Sequence, residues 1–370
     1  MLLRPSDAVL PAGSLVLITG VNGLLGGKMA DQLLQLGYRR PTPFMESLVG
    51  VDKRFLGVRG VVRDSKKALW LQERFDEAYG IGKFEVVEVP KMQVAGALDG
   101  AVKGCSGMLH LVSDISWGAD PNVVIPNSKA LVLEGIRAAA TEPRLRRFVY
   151  TSSAAAAMQM RFNEAFDLGP DAWNTASVAR AWAPPPYTPG RAFDVYAASK
   201  VQCEQAVWDF VSAQDPSFEV NTVLPDFVTG PSLDVARQGL GPTAHVLGAL
   251  WTGDESFRFL PPHYMVDTGD VGLLHVGALL HPDFKRERVF GYAHRKTWTD
   301  WIQRLRGMYP EHKFPDPPEN EGQDLSNVVG RPRAESLLKW LGQPGWRPME
   351  ESMKEAFDII ATKYNIEGGI

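Results

Sequence analysis

Short apolar runs alternate with amphipathic stretches through the first half of the chain. That alternation predicts βαβ units on a parallel sheet. Residues 15–19 (LVLIT) read as a buried strand that runs into a glycine turn. Residues 27–37 (GKMADQLLQLG) carry Met29, Leu33, Leu34 and Leu36 on a helical stripe closed by a terminal Gly. Further strands are predicted over 58–63, 84–89, 108–112 and 148–151, with helices over 65–79 and 123–140. Residues 154–188 hold Trp173, Trp182 and the run Pro184, Pro185 and Pro186, and read as an ordered loop with one helical turn. A helix over 194–211 and a strand over 220–224, ending at Pro225, come next. From Asp226 onward Gly, Pro and aromatic residues are dense and the predicted helices are short. The pattern divides the chain into an α/β domain over 8–225, interrupted at about 39–57, and a second, partly helical domain over 226–370. Residues 265–296 are expected to return to the first sheet.

Composition narrows the function classes. The 370 residues are 45% hydrophobic and 22% charged, which excludes a disordered chain. Net charge is −4 and no basic block stands out, so neither nucleic acid nor an anionic membrane is an expected partner. Cys105 and Cys203 match no metal spacing and build no disulfide framework. A reducing compartment follows. The N-terminal stretch is interrupted by Arg4, Pro5 and Asp7 and lacks the apolar core of a signal peptide. The most apolar later stretch, 271–280, is about half of a membrane span. A cytoplasmic protein with no membrane partner is the expectation. His110, His245, His263 and His275 form no metal spacing and read as structural.

The first strand is followed by Thr19-Gly20-Val21-Asn22-Gly23-Leu24-Leu25-Gly26, a GxxGxxG turn that opens a helix. Gly20 permits the tight turn, Gly23 lets the backbone approach a pyrophosphate, and Gly26 lets the helix pack close to the strand. Exposed N–H groups at the helix start, those of Leu24 and Leu25 among them, favour phosphate. The next strand ends in Arg63, followed by Asp64, Lys66 and Lys67. Arg63 can stack on adenine and pair with a 2′-phosphate, and Lys67 adds a point charge. Those residues point to NADPH or NADP, while Asp64 keeps NAD open as the second choice. Gly26 to Arg63 spans 37 residues, and removing the 19 residues 39–57 would leave 18. An insertion there sits opposite the ligand crevice and costs little entropy.

Tyr196 and Lys200 stand four apart on one predicted helix face. A phenol titrates near pH 10 and is a poor proton donor and acceptor at neutrality, but a neighbouring ammonium favours its anion. The pair lies about 170 residues beyond the glycine turn and follows a strand that ends in Thr151, Ser152 and Ser153. A serine at that strand end can hydrogen-bond a carbonyl and its developing alkoxide. Ser153 is the first choice and Ser152 the second. Substrate choice is expected in 114–120, 154–188 and 232–264, which hold Trp117, Trp173, Trp182, Trp251 and Tyr264. A small hydrophobic or aromatic carbonyl would suit such a pocket.

TGVNGLLG, FVYTSS, YAASK and LPDFVTGP together resemble the extended short-chain dehydrogenase/reductase superfamily, in the branch of the dihydroflavonol reductases and the fungal NADPH-dependent aldehyde (carbonyl) reductases. The likeness runs from about Ala8 to Phe357, apart from 39–57. It implies a Rossmann-type doubly wound parallel sheet with a smaller, partly helical C-terminal substrate domain. It assigns Gly20, Gly23 and Gly26 to the cofactor cradle, Arg63 and Lys67 to the 2′-phosphate, and Pro225 to the segment against the nicotinamide. Ser153, Tyr196 and Lys200 fall on the catalytic trio, with Tyr196 and Lys200 also touching the cofactor. The chain departs from the pattern at Lys91, Ser113 and Asp114. The implied reaction is reduction of an aldehyde or ketone by NADPH, in a monomer or homodimer. The rivals are an NAD-dependent epimerase/dehydratase of the same fold and a non-catalytic NADP-sensing regulator.

Overall fold

The structure, a computed structural model, describes residues 5–11, 13–37 and 57–367, so the expected insertion lies outside the described residues apart from Gly57. Its strands are β1 (Val16–Thr19), β2 (Val58–Val62), β3 (Phe84–Glu88), β4 (Gly107–His110), β5 (Arg147–Thr151), β6 (Asp167–Leu168), β7 (Glu219–Pro225), β8 (Phe227–Thr229), β9 (His263–Asp267), β10 (Arg288–Gly291), β11 (His294–Lys296) and β12 (Asn327–Val328). Its helices are α1 (Leu24–Gln35), α2 (Leu69–Tyr79), α3 (Asp99–Val102), α4 (Pro121–Thr141), α5 (Thr175–Ala181), α6 (Ala192–Gln214), α7 (Val235–Gln238), α8 (Pro242–Thr252), α9 (Thr268–Leu280), α10 (Trp298–Met308), α11 (Arg331–Trp340) and α12 (Met349–Glu367).

Seven strands form one sheet in the order β3-β2-β1-β4-β5-β7-β10, with every neighbouring pair parallel. This is the predicted doubly wound arrangement, and its strand order reverses between β1 and β4. Successive side chains of a strand point to opposite faces. Val16 and Ile18 therefore join one core with Met29 and Leu33 of α1, Leu274 of α9 and Leu337 of α11. Leu17 joins the other with Ile136 of α4 and Val207 of α6. Burial on both faces explains why these strands read as unbroken apolar runs. Within 265–296, α9 and β10 belong to this layer, whereas β9 and β11 pair with each other beside β8 in a three-stranded sheet. A separate aromatic core lies there, with Phe227, Trp251, Trp298, Trp301 and Phe357.

Several boundaries differ from the sequence pattern. Helix α1 starts at Leu24, because Gly23 is extended (φ −79°, ψ 171°) and serves as its N-cap. The fourth strand stops at His110, because the next amide, Leu111 N–H, donates to Thr19 Oγ1 at 3.0 Å instead of a ladder partner. The loop expected over 154–188 contains the seven-residue α5, capped by Asn174 Oδ1, which accepts from Ser177 N–H at 3.0 Å. The helices beyond Asp226 are not all short. Helix α9 has 13 residues behind an Asp267 cap, and α12 has 19, with Met353, Phe357 and Ile360 buried on one stripe. No helix among the described residues is long and apolar enough to cross a membrane.

Candidate active site

The glycine turn leaves β1 at the edge where the strand order reverses. Gly20 takes φ +70°, a region that glycine enters without a Cβ penalty. Gly23 N–H donates to Gly20 O at 3.0 Å and closes the bend. A Cβ on Gly26 would stand 2.4 Å from Gly20 O and 2.8 Å from Val21 Cα, both backbone atoms that cannot move aside. No side chain caps α1, so the leading N–H groups, Leu24 and Leu25 included, have no side-chain acceptor. A cradle that a Cβ would fill, at an uncapped helix start, fits a dinucleotide pyrophosphate.

One participant had no sequence signal. Gln238 Nε2 donates to Gly23 O at 2.8 Å, while its Oε1 accepts from Leu233 N–H at 2.9 Å and Asp234 N–H at 3.3 Å. A lone amide on a four-residue helix belongs to no motif, and only the fold brings it to the turn.

Arg63 and Lys67 are exposed just past β2 and make no ion pair among the described residues. Asp64 is committed elsewhere: its Oδ1 accepts from Lys66 N–H at 3.0 Å and caps the turn over 65–68. The carboxylate of Glu88 is also occupied, accepting from Ser65 Oγ and Ser65 N–H, which hold its pKa below the usual value. The two cations are left for an anion.

Helix α6 carries Tyr196 and Lys200 past the end of β5. Tyr196 Oη donates to Ser153 Oγ at 3.3 Å. Lys200 Nζ donates to Thr151 O at 3.4 Å and lies 5.9 Å from the centroid of the Tyr196 ring. Ser152 faces the other way: its Oγ donates at 2.7 Å to Glu204 Oε2, within a fully buried carboxylate that also accepts from Thr222 Oγ1 and Arg288 Nε, each at 2.7 Å. The structure thus brings Ser153, and not Ser152, to Tyr196. Pro225 ends β7, the strand beside β5. The next residue, Asp226, turns inward to His263 Nδ1 at 2.8 Å and Tyr264 N–H at 3.0 Å.

The aromatics expected around the substrate separate. Trp251 and Tyr264 are buried in cores, and Trp173 lies 4.0 Å beneath the Arg288 guanidinium. Trp182 is exposed. Trp117 stacks on the ring of Tyr196, with centroids 5.0 Å and planes 29° apart. His110 and His275 are buried, and desolvation lowers each to a pKa of about 4. Among the described residues no group of three or more His, Cys, Asp or Glu could hold a metal.

No protein-family model matches the chain. It is 37% identical over 352 residues to aldehyde reductase 2 of Sporidiobolus salmonicolor, covering 94% of this chain and 96% of that protein. It is 34% identical over 350 residues to the NAD-dependent epimerase/dehydratase terH of Aspergillus terreus, covering 94% and 97%. Among solved structures it resembles the yeast methylglyoxal/isovaleraldehyde reductase complexed with NADPH, with a TM-score of 0.74, 21% identity and coverage of 96% and 100%.

Proposed function

Because the chain belongs to the extended short-chain dehydrogenase/reductase family, alongside the fungal aldehyde reductases, we propose that it reduces an aldehyde or ketone to an alcohol with NADPH. The observation that carries this reading is the hydrogen bond from Tyr196 Oη to Ser153 Oγ, with Lys200 one turn further along the same helix. The trio stands on the sheet edge that also bears the glycine turn.

Gly20, Gly23, Leu24, Leu25 and Gly26 would hold the pyrophosphate, Arg63 and Lys67 the 2′-phosphate, and Tyr196, Lys200 and Pro225 the nicotinamide end. When bound, the dinucleotide supplies the hydride. A carbonyl oxygen between Tyr196 and Ser153 accepts a hydrogen bond from each. Ser153 then stabilises the growing negative charge on that oxygen. Tyr196 delivers its proton there, completing the alcohol. The ammonium of Lys200 stabilises the charge left on the phenolic oxygen. The loop that places Trp117 also exposes Ile115, which suits a hydrophobic or aromatic carbonyl. Two buried free thiols, Cys105 and Cys203, suit the cytoplasm.

The name of the Aspergillus relative raises an isomerase-type reading with retained NAD. Engagement of Asp64 Oδ1 with the Lys66 N–H, beside the exposed Arg63 and Lys67, favours NADPH instead. Turnover of a carbonyl panel, followed by NADPH absorbance with NADH in parallel, separates the two. Tyr196→Phe is expected to abolish turnover and leave NADPH binding intact by fluorescence titration. Near wild-type turnover in that variant refutes the assignment, and a co-purifying NAD that is never consumed favours the isomerase.

A further inference from the structure

The loop over 114–120, between β4 and α4, holds Trp117 in an unusual state. Its backbone is left-handed (φ 56°), a region that a bulky residue seldom occupies. Its indole lies against the Tyr196 ring, yet 42% of the residue remains exposed. Burial alone therefore does not account for the placement.

The loop is fixed on both sides. Asp114 Oδ1 accepts from Ser116 N–H at 2.9 Å and Asp114 Oδ2 from Asn127 Nδ2 at 2.8 Å. Asp120 Oδ1 accepts from Asn122 N–H at 2.9 Å at the start of α4. Gly118 is boxed in, since a Cβ there would meet Val124 Cγ2 at 2.9 Å. A strained conformation held in place beside a reacting group, and not relaxed, points to a functional constraint.

We propose that Trp117 is a specificity-determining residue: its exposed indole is a flat apolar wall beside the phenol of Tyr196, on which a planar aromatic or conjugated substituent of the carbonyl compound stacks. Stacking of this kind adds to simple apolar burial. A short aliphatic aldehyde gains little from it. Trp117 offers no proton to the reaction, so its effect falls on KM and not on kcat. The inference rests on carbonyl reduction at Tyr196 and Ser153.

The test uses the full chain with NADPH and two probes, acetophenone and propanal. Trp117→Ala is expected to raise KM for acetophenone about tenfold, with kcat held within about twofold. For propanal, kcat/KM stays within about twofold, and Trp117→Phe restores most of the acetophenone affinity. Trp117→Gly separates a functional from a structural role. Glycine adopts positive φ freely, so this variant is expected to melt no lower than the wild type while losing acetophenone affinity. Equal losses on both probes, no loss on either, or losses that track a lowered melting point overturn the proposal. A wild type that oxidises NADPH with no member of the carbonyl panel overturns the proposed function itself, and this inference with it, whereas one that turns over other members of the panel but not acetophenone overturns this inference alone.

Discussion

The hydroxyl of Ser153 accepts from Tyr196 at 3.3 Å, whereas that of Ser152 donates to the buried Glu204 at 2.7 Å. Two adjacent hydroxyls at one strand end were legible in the sequence, but their division of labour was not. Pleating guarantees only that neighbours face opposite sides, and the partner that claims Ser152 lies on α6. Ser153→Ala is expected to lower kcat by about 10²–10³-fold, the usual effect of losing one donor to a developing oxyanion, and to cost about 0.5–2 kcal/mol of stability, because Ser153 Oγ also accepts from Ala155 N–H at 3.2 Å and caps the turn over 154–156. Ser152→Ala should leave kcat within a few-fold. It should destabilise the fold by about 1–3 kcal/mol, because Glu204 loses a donor where water cannot replace it. Steady-state kinetics and calorimetry on both variants check this, and the reverse pattern would exchange the two roles.

The glycine turn and α1 form a unit whose spacing is set by backbone against backbone. In Gly26→Ala the new methyl would meet Gly20 O at 2.4 Å, so α1 must draw away from β1. The expected outcome is a lower unfolding midpoint and an NADPH titration that no longer saturates where the wild type does. Gly100→Ala in α3 is the control, since nothing lies within 4 Å of its added Cβ. Equal behaviour of the two variants would sink the argument. Elements of the large sheet were readable because layers on both faces make their strands continuously apolar. Of helix α5 only a single unplaced turn was readable, because its seven residues carry too short a stripe to fix its bounds. Helix α12 hides its stripe of Met353, Phe357 and Ile360 among acidic residues and lysines, and docking beneath β8 and β9 gives that stripe its meaning. Gln238 carries no local pattern, so only tertiary structure reveals it.

For the folded chain as a unit, a buried cation lies away from the chemistry. Lys296 of β11 is buried with no hydrogen-bond partner for its Nζ, which sits 3.2 Å from the centroid of a Trp298 ring and 5.0 Å from that of Phe227. Burial pushes its ammonium down to about 7, although the charges of Glu321 and Asp226 resist. An unfolded lysine keeps its proton to about pH 10.4. Between those values the unfolded chain binds more protons, so stability rises with pH by at most about 1.4 kcal/mol per pH unit. At lower pH the folded state carries the charge as well, and the destabilisation is at its full size. Lys296→Met is therefore expected to exceed the wild type in stability most near pH 7, with the gap closing by about pH 10. Urea denaturation at both ends of that range measures it, and a gap that does not change with pH contradicts it.

The Gln238 amide links the segment over 232–241 to the carbonyl of Gly23. Lengthening or trimming that segment would withdraw the amide from the glycine bend that we propose as the nucleotide's seat. On the proposed reading, changes there made to alter selectivity are expected to loosen the grip on the coenzyme as well. The loop bearing Trp117 makes no such bond to the bend, which leaves it the freer ground for diverging or redesigning the range of compounds accepted.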